Sequence, residues 1–123
     1  MNEALIALLV CHYLADFYFS SPAMIRAKAY EQNVWPILLH ASVHALLMGL
    51  FLLLWGVALK LLLWLMLVEF VSHFLLDTGK GRLTACYSTL ADQQKKSYWM
   101  LCGFDQLLHM LVIVGFWCYA RFL

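Results

Sequence analysis

The sequence predicts an all-α protein, a four-span antiparallel transmembrane helix bundle with both termini on the same side. Three observations predict it. The 123 residues are 65% hydrophobic and only 12% charged, with a mean hydropathy of +0.82, whereas a soluble domain carries about 25% charged and about 45–50% apolar residues. The apolar residues fall into segments near bilayer-spanning length, about 20 residues for a helix. Each of the four apolar segments also carries ionisable side chains four residues apart, which on a helix share one stripe at a rise of about 6 Å.

The chain reads as a single domain, residues 1–123. The first span covers about 4–20 and ends at Ser20-Ser21-Pro22, where Ser supplies a cap and Pro fits a first helical turn. Residues 23–34, with Arg26, Lys28, Glu31, Gln32 and Asn33, read as a polar loop with room for a short interfacial helix. The second span, about 36–55, opens on Trp35-Pro36, an interfacial anchor followed by a first-turn proline. Apolar character then continues to about Thr78, too far for one helix, and its only break is Trp55-Gly56 to Lys60. A tight hairpin there gives a third span over about 59–79. Residues 79–97 form a second polar loop, and the fourth span covers about 98–119, closed by Arg121.

Lys and Arg in short loops orient such a bundle. Arg26, Lys28, Lys80, Arg82, Lys95 and Lys96 fall on one side, against Lys60 and Arg121 on the other. Both polar loops are therefore expected in the cytoplasm and both termini outside. Glu3 and the lack of a basic segment before the first apolar run speak against a cleaved signal peptide. The net charge of +1 identifies no partner, and with no basic stripe interleaved with aromatics no nucleic-acid binding is expected. Cys11, Cys86, Cys102 and Cys118 have no paired spacing, so they read as packing residues or free thiols.

The stretch Glu69-Phe70-Val71-Ser72-His73-Phe74-Leu75-Leu76-Asp77 is the centre of the pattern, with a carboxylate, an imidazole and a carboxylate at successive four-residue steps. Three further pairs join it: His12/Asp16, His40/His44 and Asp105/His109. Every one of the five histidines belongs to a pair, and all four pairs fall at one depth. An ionised side chain in lipid costs on the order of 2.5–3.5 kcal/mol on insertion scales, so such a set demands a partner. Helix bundles meet that demand with metal ions gripped by inward-facing His and carboxylates.

The expected metal ligands are His12, Asp16, His40, His44, His73, Asp77, Asp105 and His109, with Glu69 as a catalytic base or an outer partner of His73. Eight donors exceed one four-coordinate zinc and suit two divalent ions. Three Asp and Glu69 supply four negative charges to offset them. Zinc is the first expectation, with manganese or iron as alternatives, since His and Asp without Cys admit all three. Gln106 is a candidate hydrogen-bond partner near Asp105. Lys80 falls at headgroup level as an anchor or a phosphate holder. Arg26 and Lys28 are accounted for by the orientation bias or attract anionic lipid headgroups.

Two other readings compete. Histidine–aspartate hydrogen-bonded dyads hold helices together without metal, and intramembrane His and Asp also form proton or ion paths. The first does not explain one spacing repeated at one depth. The second calls for polar groups across the bilayer, and the outer halves of all four spans are apolar.

The signatures His12-Tyr13-Leu14-Ala15-Asp16-Phe17, Leu39-His40-Ala41-Ser42-Val43-His44, Ser72-His73-Phe74-Leu75-Leu76-Asp77 with Lys80, and Asp105-Gln106-Leu107-Leu108-His109 resemble a family of small bacterial inner-membrane proteins known as domain of unknown function 3307. More distantly they look like the YdjM-type membrane-bound proteins regarded as metal-dependent hydrolases. The likeness covers nearly the whole chain. The nearer one implies a place in the bacterial inner membrane and carries no activity; the more distant one implies metal-dependent hydrolysis. After Asp16-Phe17 the chain departs from the pattern, reading Tyr18-Phe19-Ser20-Ser21 in place of a Leu-Gln type of ending.

The expected function is metal-dependent hydrolysis of a lipid-like or membrane-adjacent phosphoester or amide, one ion lowering the pKa of water toward about 7 and the other polarising the scissile group. A saturated donor set would instead be structural, which keeps open a divalent-cation carrier or sensor and a bundle merely stapled by metal. Membrane lipids are the expected partners, with a homodimer as a further alternative.

Overall fold

The computed structural model describes residues 2–31 and 33–121. Gln32, assigned above to a polar loop, lies outside them, as do the side chains of Glu31 and Arg121. The described residues are all-helical, with no strand among them.

Helix α1 (Asn2–Tyr13) runs into a π-helical turn, Leu14–Tyr18. The Phe19 N–H donates to the Leu14 carbonyl at 2.9 Å, the five-residue step that defines such a turn. The chain then bends by 94° into α2 (Pro22–Arg26) and a second π turn, Ala27–Glu31. The bend has a local chemical cause. A residue before proline is pushed out of the helical region, and Ser21 adopts φ −77°, ψ 158°. Its Oγ then accepts the Met24 N–H at 3.3 Å and caps the new helix. The stretch read as a mainly polar loop is thus helical over 22–31.

Asn33 caps α3 (Val34–Leu54), its Oδ1 accepting the Trp35 N–H at 3.2 Å. The hairpin turn comes where Gly56 stands, at φ +85°, a conformation that a Cβ disfavours. The Gly56 N–H donates to Leu53 O and the Val57 N–H to Leu52 O, both at 3.0 Å, which completes a Schellman ending. Helix α4 (Leu59–Cys86) outruns its expected end at 79 by two turns. Glycine in a helix costs about 1 kcal/mol, so Gly79-Lys80-Gly81 reads as a stop; packing overrides it. A Cβ on Gly81 would lie 3.3 Å from the Lys28 carbonyl oxygen and 3.6 Å from that of Ala27, so a side chain there would push the backbone of the second π turn outward by a few tenths of an ångström. One turn on, the Thr84 hydroxyl donates to the Ala29 carbonyl. A short α5 (Ser88–Ala91) leads to α6 (Lys96–Arg121).

Helices α3, α4 and α6 are long and apolar enough to cross a membrane, and the bent pair 3–29 makes a fourth candidate if it counts as one span. The molecule is apolar outside as well as inside. Leu46, Leu54, Leu63, Trp64, Leu75 and Leu111 are all more than half exposed, a surface suited to lipid and not to water. This is the surface of a membrane protein. Inside, Leu8 of α1, Met48 and Leu52 of α3, Leu62 and Leu65 of α4, and Ile113 and Phe116 of α6 form one apolar layer. The ionisable pairs come directly beyond it on the same four helices.

The two glycines in the last turns of α4 predict opposite responses. Gly81→Val should destabilise by about 1–3 kcal/mol, because the obstacle is backbone that must shift. Gly79→Ala, with nothing within 4 Å of the new Cβ, should stabilise by about 0.5–1 kcal/mol. Thermal unfolding in detergent reads both; equal responses would contradict the packing of 27–28 on α4.

Candidate metal centre

Nine ionisable side chains meet in the layer beyond the apolar one, none more than 7% exposed: His12 and Asp16, His40 and His44, Glu69, His73 and Asp77, Asp105 and His109. Their four-residue spacing keeps each set on one helical stripe, and the packing turns those stripes inward. Cys11 and Cys102 are only half-buried, and no cysteine joins a donor group among the described residues.

His73 sits at the middle. Its ring centroid lies 3.6 Å from that of His44, 4.1 Å from His109, 5.2 Å from His40 and 5.7 Å from His12. Glu69 Oε1 is 3.4 Å from its Nδ1 and Asp77 Oδ2 is 3.5 Å from its Nε2. Neither contact is a hydrogen bond; both nitrogens of His73 and both carboxylate oxygens of Asp77 are buried without a hydrogen-bond partner. His12 Nδ1 and His44 Nε2 are in the same condition. Each such atom costs about 1–3 kcal/mol if nothing satisfies it.

Three groups of donors could each hold an ion, with one atom per residue inside a 4.8 Å mutual distance: His12, His44, Glu69 and His73; Asp16, His40, His44 and His73; and His73, Asp77 and His109. All contain His73, and two contain His44, so they are three selections from one continuous donor set. Glu69 falls in a group. Asp105 falls in none. Its Oδ2 accepts from Lys80 Nζ at 2.9 Å while its Oδ1 lies 3.5 Å from His109 Nε2, a position from which it orients that imidazole.

Polar neighbours set the rings. The Ser20 hydroxyl donates to the Ala15 carbonyl at 3.1 Å, so its oxygen is left to accept from His40 Nδ1 at 3.2 Å. Nε2 of the same ring is hydrogen-bonded to Asp16 Oδ1 at 3.0 Å, so Ser20 and Asp16 hold His40 from both sides. Gln106 Nε2 donates to Asp16 Oδ2 at 2.8 Å, and its Oε1 takes the His12 Nε2 proton at 3.4 Å. This leaves the bare Nδ1 of His12 as a donor atom. Such outer contacts fix both tautomer and aim.

Two lysines enter from the far end, with side chains 15% and 16% exposed. Lys28 Nζ donates to Asp16 Oδ1 at 2.8 Å and lies 3.1 Å from His40 Nε2. Its ammonium thus bridges two atoms of one donor group, holding positive charge where a cation is wanted. Lys80, read from sequence as a headgroup-level anchor or phosphate holder, turns inward to Asp105. Ser20 and Lys28 were not singled out as site residues by sequence. Ser20 had a signal, being the next four-residue step after His12 and Asp16. Lys28 had none, because the 94° bend and the π turn that deliver it leave no periodic trace.

Fold and site together define the class: a helical membrane protein enclosing a His/carboxylate cluster with the chemistry of a metal site. The chain belongs to the family described as protein of unknown function (DUF3307), whose profile matches residues 4–122. No curated protein and no solved structure matches it.

Ser20→Ala should leave the fold intact but release the His40 ring. The affinity for a divalent ion should fall about 10–100-fold, the usual cost of losing an outer partner, read by competition against a chromogenic chelator. Unchanged affinity would contradict the role of Ser20 in aiming the His40 ring.

Proposed function

We propose that this protein is a metal-dependent hydrolase of the bacterial inner membrane, a four-span antiparallel bundle that holds two divalent ions, zinc foremost, in its cytoplasmic half. The observation that carries this reading is the bare condition of His73 and Asp77 at the centre of nine buried donors. His40 and Asp16 do form a hydrogen-bonded dyad at 3.0 Å, but the atoms of His73 and Asp77 lie 3.4–3.6 Å from their neighbours with no hydrogen bond. The order of layers supports the topology. Along α1 and α4 the numbering rises from the apolar layer to the cluster, and along α3 and α6 it falls. The lysine bias favours the cytoplasm for the cluster end.

Bound divalent ions supply Lewis-acid polarisation and a lowered pKa for water. The chain does the rest. Ser20 and Gln106 hold the rings of His40 and His12 in place, and Glu69 stands beside His44 and His73 at the deep end. Asp105 lies at the entrance, held by Lys80, and orients His109. The substrate is a lipid-like phosphoester or amide reaching the cluster from that end. Leu8, Leu52, Leu62, Leu65 and Ile113 seal the other end, which counts against an ion route through the bundle.

Purified protein supplied with zinc or manganese should hydrolyse a lipid phosphoester or amide in mixed micelles and stop on chelation. His73→Ala should reduce turnover about 100-fold or more, beyond the ~10–100-fold expected for an outer partner, with helicity unchanged by circular dichroism. Lys60→Ala, exposed at the opposite end, should match the parent. Turnover that survives both chelation and His73→Ala contradicts the reading.

A further inference from the structure

Two openings meet at Lys80. One is a cavity of about 230 Å³ bounded by the second π turn, the end of α4, α5 and the start of α6. Lys28, Lys80, Thr84 and Tyr98 give it polar walls, and Ile25 and Leu90 give it apolar ones. The other is a groove of about 170 Å³ on the outer surface between α4 and α6. Its sides are Leu75, Leu83 and Phe104, its floor ends at Lys80 and Asp105, and Gly79 forms a notch between Leu75 and Leu83. Lys80 and Leu101 line both openings. The groove flanks are more than 40% exposed, on a surface that faces lipid, so the groove opens to the bilayer and the cavity lies at its inner end.

We propose that groove and cavity together bind a single-chain phosphate lipid taken sideways from the bilayer, its phosphate on Lys80 and Lys28 and its hydrocarbon chain along the Gly79 notch. This rests on the hydrolase reading and narrows its substrate from phosphoester or amide to phosphoester. Charge complementarity argues for the occupant. An ammonium has three donors; Lys80 spends one on Asp105, and Lys28 spends one on Asp16 and at most one more on His40. Donors therefore remain at both lysines for an anion. With two divalent ions in place, the four carboxylates and two ammoniums leave the site two charges positive, which a phosphate monoester dianion neutralises and an amide does not. The apolar groove ending at a cation matches a molecule with a chain at one end and an anion at the other. Gly79 matters because any side chain there would project into the groove, where the space is open.

The test compares binding of hexadecyl phosphate and ethyl phosphate to the intact chain in one detergent, with metal counted in the same samples. Hexadecyl phosphate should bind about tenfold or more tightly than ethyl phosphate, a difference of roughly 1.4 kcal/mol or more. Gly79→Phe should abolish that advantage and leave ethyl phosphate unchanged; Lys80→Gln should weaken both about tenfold. All variants share the same micelles, so partitioning cancels. Undiminished hexadecyl phosphate binding in Gly79→Phe overturns the groove, whatever Lys80→Gln does. Chain-length-dependent binding without metal upholds the groove and overturns the two-ion hydrolase instead.

Discussion

The structure depends on one constraint: nine ionisable side chains are buried together inside a molecule whose outer surface is apolar. His73 and Asp77 are each 1% exposed, and lipid cannot solvate them. Their energy must be met from within, and the protein meets only part of it. Ser20, Gln106, Lys28 and Lys80 engage the edges of the cluster and leave its centre bare. That distribution makes sense if the centre is kept for cations. A bundle built only for stability would gain from apolar side chains there, since buried ionic groups are weak stabilisers.

The departures from regular helix fall where this constraint acts. Asp16 lies in the first π turn and Lys28 in the second, and the two are bonded to each other at 2.8 Å. A π turn adds a residue to the cycle and re-aims the side chains after it, and such turns concentrate at functional sites. The 94° bend between them folds the second segment back under α4, held by the close approach at Gly81 and the Thr84 hydroxyl. Without that return Lys28 could not reach the cluster.

Much of this was legible in the residues, for physical reasons. The long helices α3 and α6 are apolar runs bounded by a capping Asn33, a left-handed Gly56 and charged flanks, so their ends fall within two residues of the expected ones. The donor stripes were visible because four-residue spacing translates directly into a shared helical face. What stayed hidden depends on contacts between distant segments. The last turns of α4 carry two glycines and two basic residues, which locally favour a loop and become helical through Ala27, Lys28 and Ala29. Lys28 and Lys80 are ambiguous in sequence because a lysine at a membrane edge has a sufficient reason to be there. Only packing shows that both point inward.

The central claim is that the bare donors belong to metal, and counting ions tests it most directly. Protein purified in detergent and desalted should carry about two equivalents of zinc, manganese or iron per chain by elemental analysis, and His73→Ala should carry less. A chain that holds no divalent ion, even after incubation with each of the three and a second desalting step, would contradict the account and return the cluster to hydrogen-bonded dyads.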